Sequence, residues 1–349
     1  MLKVAIVGCG RIFDKHMNSI VDLKNKFKLV SICDINKKRL KEKSSNTEVN
    51  EYLDYNLMVS KEEIDVVSVL TDSGSHEKII NDLIGKVKNI IVEKPFTLTT
   101  SGARGIVDEC KKKSTRLFVV HQNRLNRTIK KLFELKKSGA FGKIFLCSVN
   151  LYWSRSNDYY NSDKWRGKWK SDGGVIANQG IHFIDIIQKL LGDPYLISAE
   201  SANALNDIEA EDTAVVNFRY KNNCLVTFQF TTAIRPKNLE GSISIFSENG
   251  SFQIGGIALN KIRQINLKDY KSKGSIDDQI TDVYGEGHHT FYSKIYKEIT
   301  EGIKSEFDAT NFVNQIRLLN AIYKSIEDSQ RVIFDKKLDY NTKLGIYES

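Results

Sequence analysis

The decisive stretch of this sequence is VAIVGCGRIF, residues 4–13. Its first four residues are apolar and predict a buried strand, and the glycines that follow predict a tight turn into a helix. Glycines at such a turn allow the backbone to approach a pyrophosphate, and the helix N-terminus offers unpaired N–H groups to it. Phe13 stands where the full dinucleotide fingerprint has Gly or Ala, so an ordinary βα turn is the alternative.

An acidic residue, Asp34, follows the second predicted strand. A carboxylate at this position accepts hydrogen bonds from the ribose hydroxyls of the adenosine. It also repels the 2′-phosphate of NADP, although Lys37 and Lys38 would partly offset that repulsion. The sequence therefore predicts a dinucleotide-binding turn and favours NAD over NADP.

The first third of the chain alternates short Val- and Ile-rich runs with helical patterns such as Ser75–Ile84 and Ser101–Lys113. Solidly apolar strands are typical of parallel sheets that are covered on both faces. The alternation predicts an α/β fold, a Rossmann doubly wound parallel sheet, over residues 1–122. Its predicted strands are Lys3–Val7, Leu29–Cys33, Asp65–Leu70, Asn89–Val92 and Leu117–Val120.

The pattern changes near residue 123. We expect residues 123–349 to form a C-terminal α+β domain with a large, open, mostly antiparallel sheet, which binds substrate and mediates oligomerisation. The turns Lys221–Asn223 and Glu248–Gly250 predict hairpins. The predicted strands are residues 143–153, Val215–Tyr220, Leu225–Thr231, Ser242–Phe246 and Ser251–Ile254. The predicted helices are Arg127–Ser138, Ile181–Leu191, Thr290–Glu301 and residues 309–327, the last able to pack back on the first domain.

The composition excludes several classes of protein. No apolar run approaches the ~20 residues of a membrane span, and the five scattered cysteines contain no Cys-x-x-Cys pair. The chain has 52 Lys and Arg against 43 Asp and Glu, and its net charge of +9 suits an anionic partner. It carries no helix-turn-helix, zinc or RNP-type motif. We therefore expect no nucleic-acid binding, no membrane insertion, no metal site and a reducing, cytoplasmic setting.

Two motifs carry candidate catalytic side chains. Glu93-Lys94-Pro95 follows a predicted parallel strand, and a Lys there donates to a substrate hydroxyl or relays a proton, unless it is a solvent-facing turn residue. Asn178, His182 and Asp185, at spacing i, i+4 and i+7, share one face of a predicted helix. His182 suits general acid–base work because its ordinary pKa lies near neutrality. The alternative is a core histidine satisfied by Asp185.

Together, Gly8–Ile12, Glu93-Lys94-Pro95 and Asn178-Gln179-Gly180-Ile181-His182 resemble the Gfo/Idh/MocA oxidoreductase family over nearly the whole chain. The resemblance implies NAD as cofactor and Lys94 as a catalytic residue. Many members carry Asp at the position of Asn178; because an amide cannot act as a base, proton abstraction falls to His182, with Lys94 as its partner. The implied cofactor-binding residues are Gly8, Gly10, Arg11, Ile12, Asp34, Thr71, Ser73, His76, Glu93, Lys94, Gln122, Trp165 and Arg166.

A narrower resemblance is to the branch of this family typified by UDP-N-acetyl-2-amino-2-deoxy-D-glucuronate 3-dehydrogenase. The matching stretches lie at residues 118–124, 152–155, 159–160, 165–169, 178–179, 208–213, 236–241 and 283–288. The resemblance implies oxidation of the C3 hydroxyl of UDP-N-acetylglucosaminuronate for surface polysaccharide sugar biosynthesis. Cationic side chains suit its phosphates and carboxylate, and aromatic rings suit uracil or the sugar. The expected substrate-binding residues are Lys94, Arg155, Tyr159, Tyr160, Arg166, Asn178, His182, Arg235, Lys237 and His288.

Other functions stay open. The substrate of such an enzyme could be UDP-N-acetylglucosamine, which lacks the carboxylate, or another sugar or polyol. A non-catalytic NAD-binding regulator is the alternative from a different class, and the intact Lys94 and His182 argue against it. The resemblance also implies a dimer or tetramer, a PLP-dependent aminotransferase that takes the product and, in some relatives, recycling of NADH with 2-oxoglutarate. Burial of a flat, open sheet face against a second copy would produce such an oligomer.

Overall fold

The computed structural model describes residues 1–45, 48–270, 277 and 287–346. The chain divides into two compact units, each with its own sheet. The first unit contains residues 1–121 and 288–313, and the second contains residues 122–287 and 314–349.

The described part of the first unit contains a six-stranded parallel sheet in the order β3-β2-β1-β4-β5-β6. This order confirms the predicted Rossmann fold. Because the order reverses between β1 and β4, the carboxyl ends of these two strands form the edge where such sheets bind ligands. The strands are β1 (Leu2–Val7), β2 (Phe27–Cys33), β3 (Asn50–Tyr52), β4 (Val66–Val69), β5 (Asn89–Glu93) and β6 (Arg116–Val120).

The helices that connect these strands begin at side-chain caps, with one exception that bears on the site. Asn36, Asp54, Asp72 and Thr99 each accept hydrogen bonds from backbone N–H groups of the next helix, whereas no side chain caps the first helix. An uncapped helix N-terminus retains donors for a ligand. The helices are α1 (Phe13–Asp22), α2 (Lys37–Ser44), α3 (Tyr55–Lys61), α4 (Ser73–Leu83) and α5 (Thr100–Lys113).

In the described part of the second unit, eight strands form a mixed sheet in the order β13-β12-β11-β7-β10-β9-β8-β14. Every neighbouring pair is antiparallel except β7 and β10, which are parallel. The expected open, mostly antiparallel sheet is thus confirmed, with one parallel pair at its centre. The strands are β7 (Ile144–Tyr152), β8 (Leu196–Ala202), β9 (Thr213–Arg219), β10 (Leu225–Thr231), β11 (Glu240–Ser247), β12 (Gly250–Gly255), β13 (Lys261–Leu267) and β14 (Val332–Ile333).

Alternating burial shows how this sheet forms its core. Along β9 and β10, side chains alternate between buried and exposed or partly exposed positions, so one face supplies the core and the other faces outward.

The remaining helices are α6 (Arg127–Lys137), α7 (Asn157–Asn161), α8 (Ile181–Leu191), α9 (Gly287–Thr300) and α10 (Val313–Asp328). Among the described residues, no helix is long and apolar enough to cross a membrane.

Several local features differ from the sequence prediction, and β8, β13 and β14 of the second unit were not among the predicted strands. β3 and α3 were not predicted, because Asn50–Tyr52 has no apolar run and α3 is only seven residues long. The predicted helix 309–327 begins with a separate 3-10 turn, Ala309–Phe312, which follows the cap Asp308. A π-turn, Ile176–Gly180, precedes α8, and it alters the geometry of the second predicted motif.

Candidate active site

The glycine turn after β1 combines a close backbone contact at Gly8 with open space at Gly10. Gly8 has φ +100°, and a Cβ there would lie 2.8 Å from the carbonyl group of Leu70 at the end of β4. A Cβ on Gly10 would meet no atom within 4 Å. Gly8 is therefore required by the close approach of two strand ends, whereas Gly10 leaves open space beside the uncapped start of α1. Close approach of a pyrophosphate to the backbone requires open space of this kind.

Asp34 lies beside this turn and is oriented by it. One carboxylate oxygen accepts a hydrogen bond from the N–H of Cys9 at 2.8 Å, and the other accepts one from the N–H of Asn36 at 2.7 Å. The side chain is almost fully buried, with 8% exposure for the residue. Two backbone donors thus hold the carboxylate at the carboxyl end of β2, where an adenosine ribose binds in a Rossmann domain.

Thr71 lies just beyond the carboxyl end of β4, and Ser73 and His76 lie on the first turn of α4, which follows. Thr71 follows β4 next to Gly8, and Ser73 begins α4. His76 is buried, with Nδ1 2.8 Å from the carbonyl oxygen of Pro95 and Nε2 3.2 Å from that of Thr71. Burial lowers the pKa of His76, so the imidazole is neutral at pH 7. His76 thus links the loop after β4 to the Lys94-Pro95 turn after β5.

Glu93, which ends β5, is the centre of a buried group that the sequence analysis did not predict. One oxygen of its carboxylate lies 3.0 Å from Nε2 of His16 on α1 and 3.3 Å from Nε2 of His288 on α9. Nδ1 of His16 is 2.9 Å from the hydroxyl of Tyr292, which is 2.9 Å from the hydroxyl of Ser68. We call His16, Glu93 and His288 the Glu93 cluster.

The charges in the Glu93 cluster follow from its contacts. Burial alone would raise the pKa of Glu93, but hydrogen bonds from His16 and His288 outweigh it and hold that pKa well below its ordinary value. Burial lowers the pKa of His16, against the opposing effect of Glu93. An ionised carboxylate beside a neutral imidazole is therefore the resting state. The other oxygen of Glu93 accepts from the N–H of Lys94 at 3.2 Å, which orients the start of the Lys94 turn.

The ligand atoms of the Glu93 cluster lie within 4.8 Å of one another, close enough for a metal ion. The hydrogen bonds already account for this arrangement without one. We expect Glu93→Gln to lower the free energy of unfolding by about 1–3 kcal/mol at pH 7, because two buried imidazoles lose an ionised acceptor. The control is Glu109→Gln on the surface of α5, expected to change it by less than about 0.5 kcal/mol.

The pH dependence and a chelator complete this test. Since the pKa of Glu93 is lowered in the folded state, its stabilisation is present above its unfolded pKa and is lost as the pH falls through the folded value. The difference in stability between wild type and Glu93→Gln should therefore shrink on acidification. Dialysis against EDTA should leave Tm unchanged; a drop in Tm would show that the cluster holds a metal.

The second predicted motif lies in the other unit and spans the π-turn Ile176–Gly180 and the start of α8. Asn178 donates a hydrogen bond from Nδ2 to Asp172 at 2.6 Å. Asp185 accepts a bidentate pair from Arg124 at 2.7 and 2.5 Å, so it is committed to a salt bridge. His182 lies on the first turn of α8 with 8% exposure.

A π-turn within this motif departs from the regular α-helical spacing on which the predicted shared face depends. A π-turn closes i→i+5 hydrogen bonds, so the 3.6-residue spacing does not hold across Ile176–Gly180, which contains Asn178. Asn178 is held by its hydrogen bond to Asp172, and Asp185 by its salt bridge with Arg124. No local residue type signals the π-turn, which is why the sequence pattern missed it.

Arginines and aromatic rings form a cluster after β7. The Arg166 guanidinium lies 4.4 Å from the ring centroid of Tyr159 and 4.3 Å from that of Trp165, and its Nη1 donates to the Tyr159 hydroxyl at 2.8 Å. Arg155 lies 5.1 Å from the Tyr159 ring and 5.2 Å from Trp153. Ring contacts restrict the two guanidinium groups, which favours bidentate recognition of an anion, and Arg166 also donates from Nε to Asp163 at 3.3 Å.

The other expected ligand-binding residues differ in accessibility. Arg11, Arg235 and Lys237 are exposed, and Arg235 donates to Asn206 at 2.9 Å. Tyr160 is buried, with its hydroxyl 2.9 Å from that of Thr232, and burial raises its pKa. Gln122 is buried in a 3-10 turn, and its Oε1 has no hydrogen-bond partner among the described residues. His288 lies against Glu93, while residues 283–286 of the same matching stretch fall outside the described residues.

His16, Tyr292 and Asp172 are not among the predicted site residues. One signal was available for His16: it shares the inward face of α1 with Phe13 and Ile20, which is unusual for a titratable residue. Tyr292 contacts His16 and Ser68, which lie more than 200 positions away, and leaves no local pattern. Asp172 bonds Gly167 and Asn178 nearby in the chain, but no periodicity of the sequence marks that loop.

The fold and both motifs define an NAD-dependent oxidoreductase with a Rossmann domain. Residues 2–121 match the model for the oxidoreductase family with an NAD-binding Rossmann fold, and residues 129–253 match the GFO/IDH/MocA C-terminal domain. The chain therefore belongs to the Gfo/Idh/MocA family.

Two solved structures are similar over almost the whole chain. The WlbA dehydrogenase of Bordetella pertussis, in complex with NADH and UDP-GlcNAcA, is 30% identical with a TM-score of 0.88, covering 96% of this chain and 99% of that one. The WlbA dehydrogenase of Chromobacterium violaceum, in the same complex, is 32% identical with a TM-score of 0.89, covering 96% of each. D-apiose dehydrogenase of Paraburkholderia graminis is 26% identical over 61% of this chain, and the match spans only 56% of that protein.

Proposed function

We propose that this protein oxidises the C3 hydroxyl of a UDP-N-acetylated sugar acid, UDP-N-acetylglucosaminuronate, with NAD. The observation that carries the proposal is the 30–32% identity, over 96% of the chain, to two dehydrogenases crystallised with NADH and UDP-GlcNAcA. The aromatic rings beside Arg155 and Arg166 support it, because a UDP-sugar acid carries two phosphates, a carboxylate and a flat base.

The chemistry divides between the two motifs. Oxidation of a secondary alcohol removes a hydride from carbon and a proton from oxygen. Bound NAD supplies the hydride acceptor. We propose that His182 accepts the hydroxyl proton and that Lys94 donates a hydrogen bond to the same oxygen. Asn178, held by Asp172, would orient a neighbouring substrate hydroxyl but cannot act as a base.

The choice of NAD over NADP is supported by Asp34. Its carboxylate is nearly buried and is held by the N–H groups of Cys9 and Asn36, so it cannot swing away from a 2′-phosphate. A fixed negative charge there repels NADP.

The experiment compares substrates and cofactors side by side. Purified protein is incubated with UDP-GlcNAcA, UDP-GlcNAc, myo-inositol and D-apiose, each with NAD or NADP, and absorbance at the NADH band is recorded. We expect turnover with UDP-GlcNAcA and NAD, and at least tenfold lower kcat/KM for UDP-GlcNAc, since it lacks a charge that a buried arginine would pair with. Preferred oxidation of inositol or apiose would contradict the proposal and favour the second candidate, a sugar or polyol dehydrogenase like the D-apiose enzyme.

We also propose a homo-oligomer. Phe246, Leu146 and Leu225 are aligned across neighbouring strands β11, β7 and β10, and all three are exposed. Directly opposed residues on adjacent strands share a sheet face, so they form one apolar row. Burial of this row against a second copy would produce a symmetric dimer or tetramer.

The setting of the reaction is likewise a proposal. The ketone product is the kind of substrate that a PLP-dependent aminotransferase consumes, and we propose that such an enzyme acts next. All five cysteines are buried thiols, which supports a reducing, cytoplasmic location.

A further inference from the structure

A buried carboxylate with no part in the chemistry so far lies next to the π-turn. Glu211, between β8 and β9, is 2% exposed. Its Oε1 accepts hydrogen bonds from the N–H of Ile176 at 2.9 Å and from the hydroxyl of Tyr323 at 2.9 Å. Its own carbonyl oxygen accepts from the N–H of Val175 at 2.9 Å.

Tyr323 on α10 completes this arrangement. Its hydroxyl donates to Glu211 and accepts from the N–H of Ala177 at 3.2 Å. The first N–H groups of a helical segment have no acceptor within the segment, and no side chain of the preceding residues caps this one. Glu211 and Tyr323 therefore act as a cap supplied from distant parts of the chain.

The residues around this cap are tightly packed. A Cβ added at Gly174 would lie 2.0 Å from the carbonyl oxygen of Glu211 and 2.4 Å from its carboxyl group. On the other side of the π-turn, a Cβ at Gly180 would lie 2.7 Å from the ring of Phe230. The turn is thus confined between Glu211 and Phe230, and a shift of Glu211 displaces it.

The carboxylate is also electrostatically unusual. Burial raises the pKa of Glu211 to about 7, and the nearby charge of Asp172 adds to the effect, against hydrogen bonds from Ile176 and Tyr323 that lower it. The two hydrogen bonds to Oε1, in a buried site, favour one particular backbone conformation. That conformation is the π-turn, which contains Asn178 and directly precedes α8, where His182 lies on the first turn.

We propose that Glu211 is a positioning residue, which, with Tyr323, fixes the π-turn and thereby places Asn178 and His182 for proton transfer. The proposal rests on the proposed function, since it takes the catalytic role of His182 from it. Glu211 does not touch the reacting atoms in this account. It acts through the N–H groups of Ile176 and Ala177, the second by way of Tyr323.

The kinetic test uses Glu211→Ala, Glu211→Gln and Tyr323→Phe. A misplacement of about 1 Å lowers turnover by up to about 100-fold, so we expect kcat to fall about 10- to 100-fold in Glu211→Ala. The Kd for NADH should stay within twofold, because the glycine turn and Asp34 belong to the other unit. Glu211→Gln keeps an acceptor oxygen and should recover most of kcat. Glu200→Ala, an exposed glutamate on β8, is the control and should match wild type.

Hydrogen exchange separates this proposal from the proposed function. We expect amide exchange over residues 174–184 to rise in Glu211→Ala, with the rest of the second unit unchanged. If wild type oxidises no UDP-sugar, the proposed function fails, while the exchange pattern still decides the role of Glu211. If Glu211→Ala does not fold, Tyr323→Phe, which removes one hydroxyl only, gives the same two readouts. Unchanged exchange over 174–184, or a rise throughout the second unit, would overturn the proposal.

Discussion

Replacement of His182 by alanine is expected to lower kcat by about 10²–10⁴-fold, the usual contribution of a general base. His182 lies on the first turn of α8, where the preceding π-turn and the salt bridge of Asp185 with Arg124 hold the helix start in place. Without the imidazole, the motif retains the amide of Asn178, which cannot accept the proton, and the carboxylate of Asp185, which is paired with Arg124. The measurement is the steady-state rate of NADH formation with UDP-GlcNAcA.

Binding of the cofactor separates loss of chemistry from loss of structure. The Kd for NADH, measured by its fluorescence, should be unchanged in His182→Ala, because the dinucleotide turn belongs to the other unit. His289→Ala, an exposed histidine on α9, is the matched control and should retain wild-type kcat. If kcat of His182→Ala stays within threefold of wild type, His182 is not the general base. The alternative, a structural histidine in the core, would then be favoured.

The two glycines of the dinucleotide turn should respond to alanine in opposite ways. Gly8→Ala places a methyl group 2.8 Å from the backbone of Leu70 at φ +100°, so we expect a loss of stability on the order of 2–4 kcal/mol. Gly10→Ala meets no protein atom, so Tm should stay within a degree or two of wild type. The methyl group would instead occupy the space beside α1 that a pyrophosphate requires.

Affinity for NAD should therefore fall in Gly10→Ala without a loss of fold. Loss of one hydrogen bond to a charged phosphate costs about 1.5–3 kcal/mol, equivalent to about a 10- to 100-fold higher Kd. Gly105→Ala on α5, where a Cβ also meets no atom, is the control: Kd should not change appreciably, and Tm should stay level or rise slightly, because alanine favours a helix over glycine. A normal Kd for NAD in Gly10→Ala would mean that the cofactor does not approach this turn.

Features set by neighbouring residues could be predicted from the sequence. The β1 turn, Asp34 and the Val- and Ile-rich strands depend on composition within a few residues, and their fold follows from general rules of parallel sheets. The Glu93 cluster and the Glu211 cap could not be predicted, since they join residues far apart in sequence. Glu93 meets His288 across 195 positions, and Glu211 meets Tyr323 across 112. Periodicity identifies which face of an element is buried but not which distant side chain it meets.

The most direct measurement follows the hydrogen that leaves the substrate. UDP-GlcNAcA carrying deuterium at C3 is mixed with one equivalent of NAD and the protein, and the NADH formed is analysed by mass spectrometry. The account predicts NADH that is one mass unit heavier, together with a 3-keto sugar nucleotide. Unlabelled NADH would show oxidation at another carbon, and absence of NADH with a protein that binds NAD would contradict the proposed function itself.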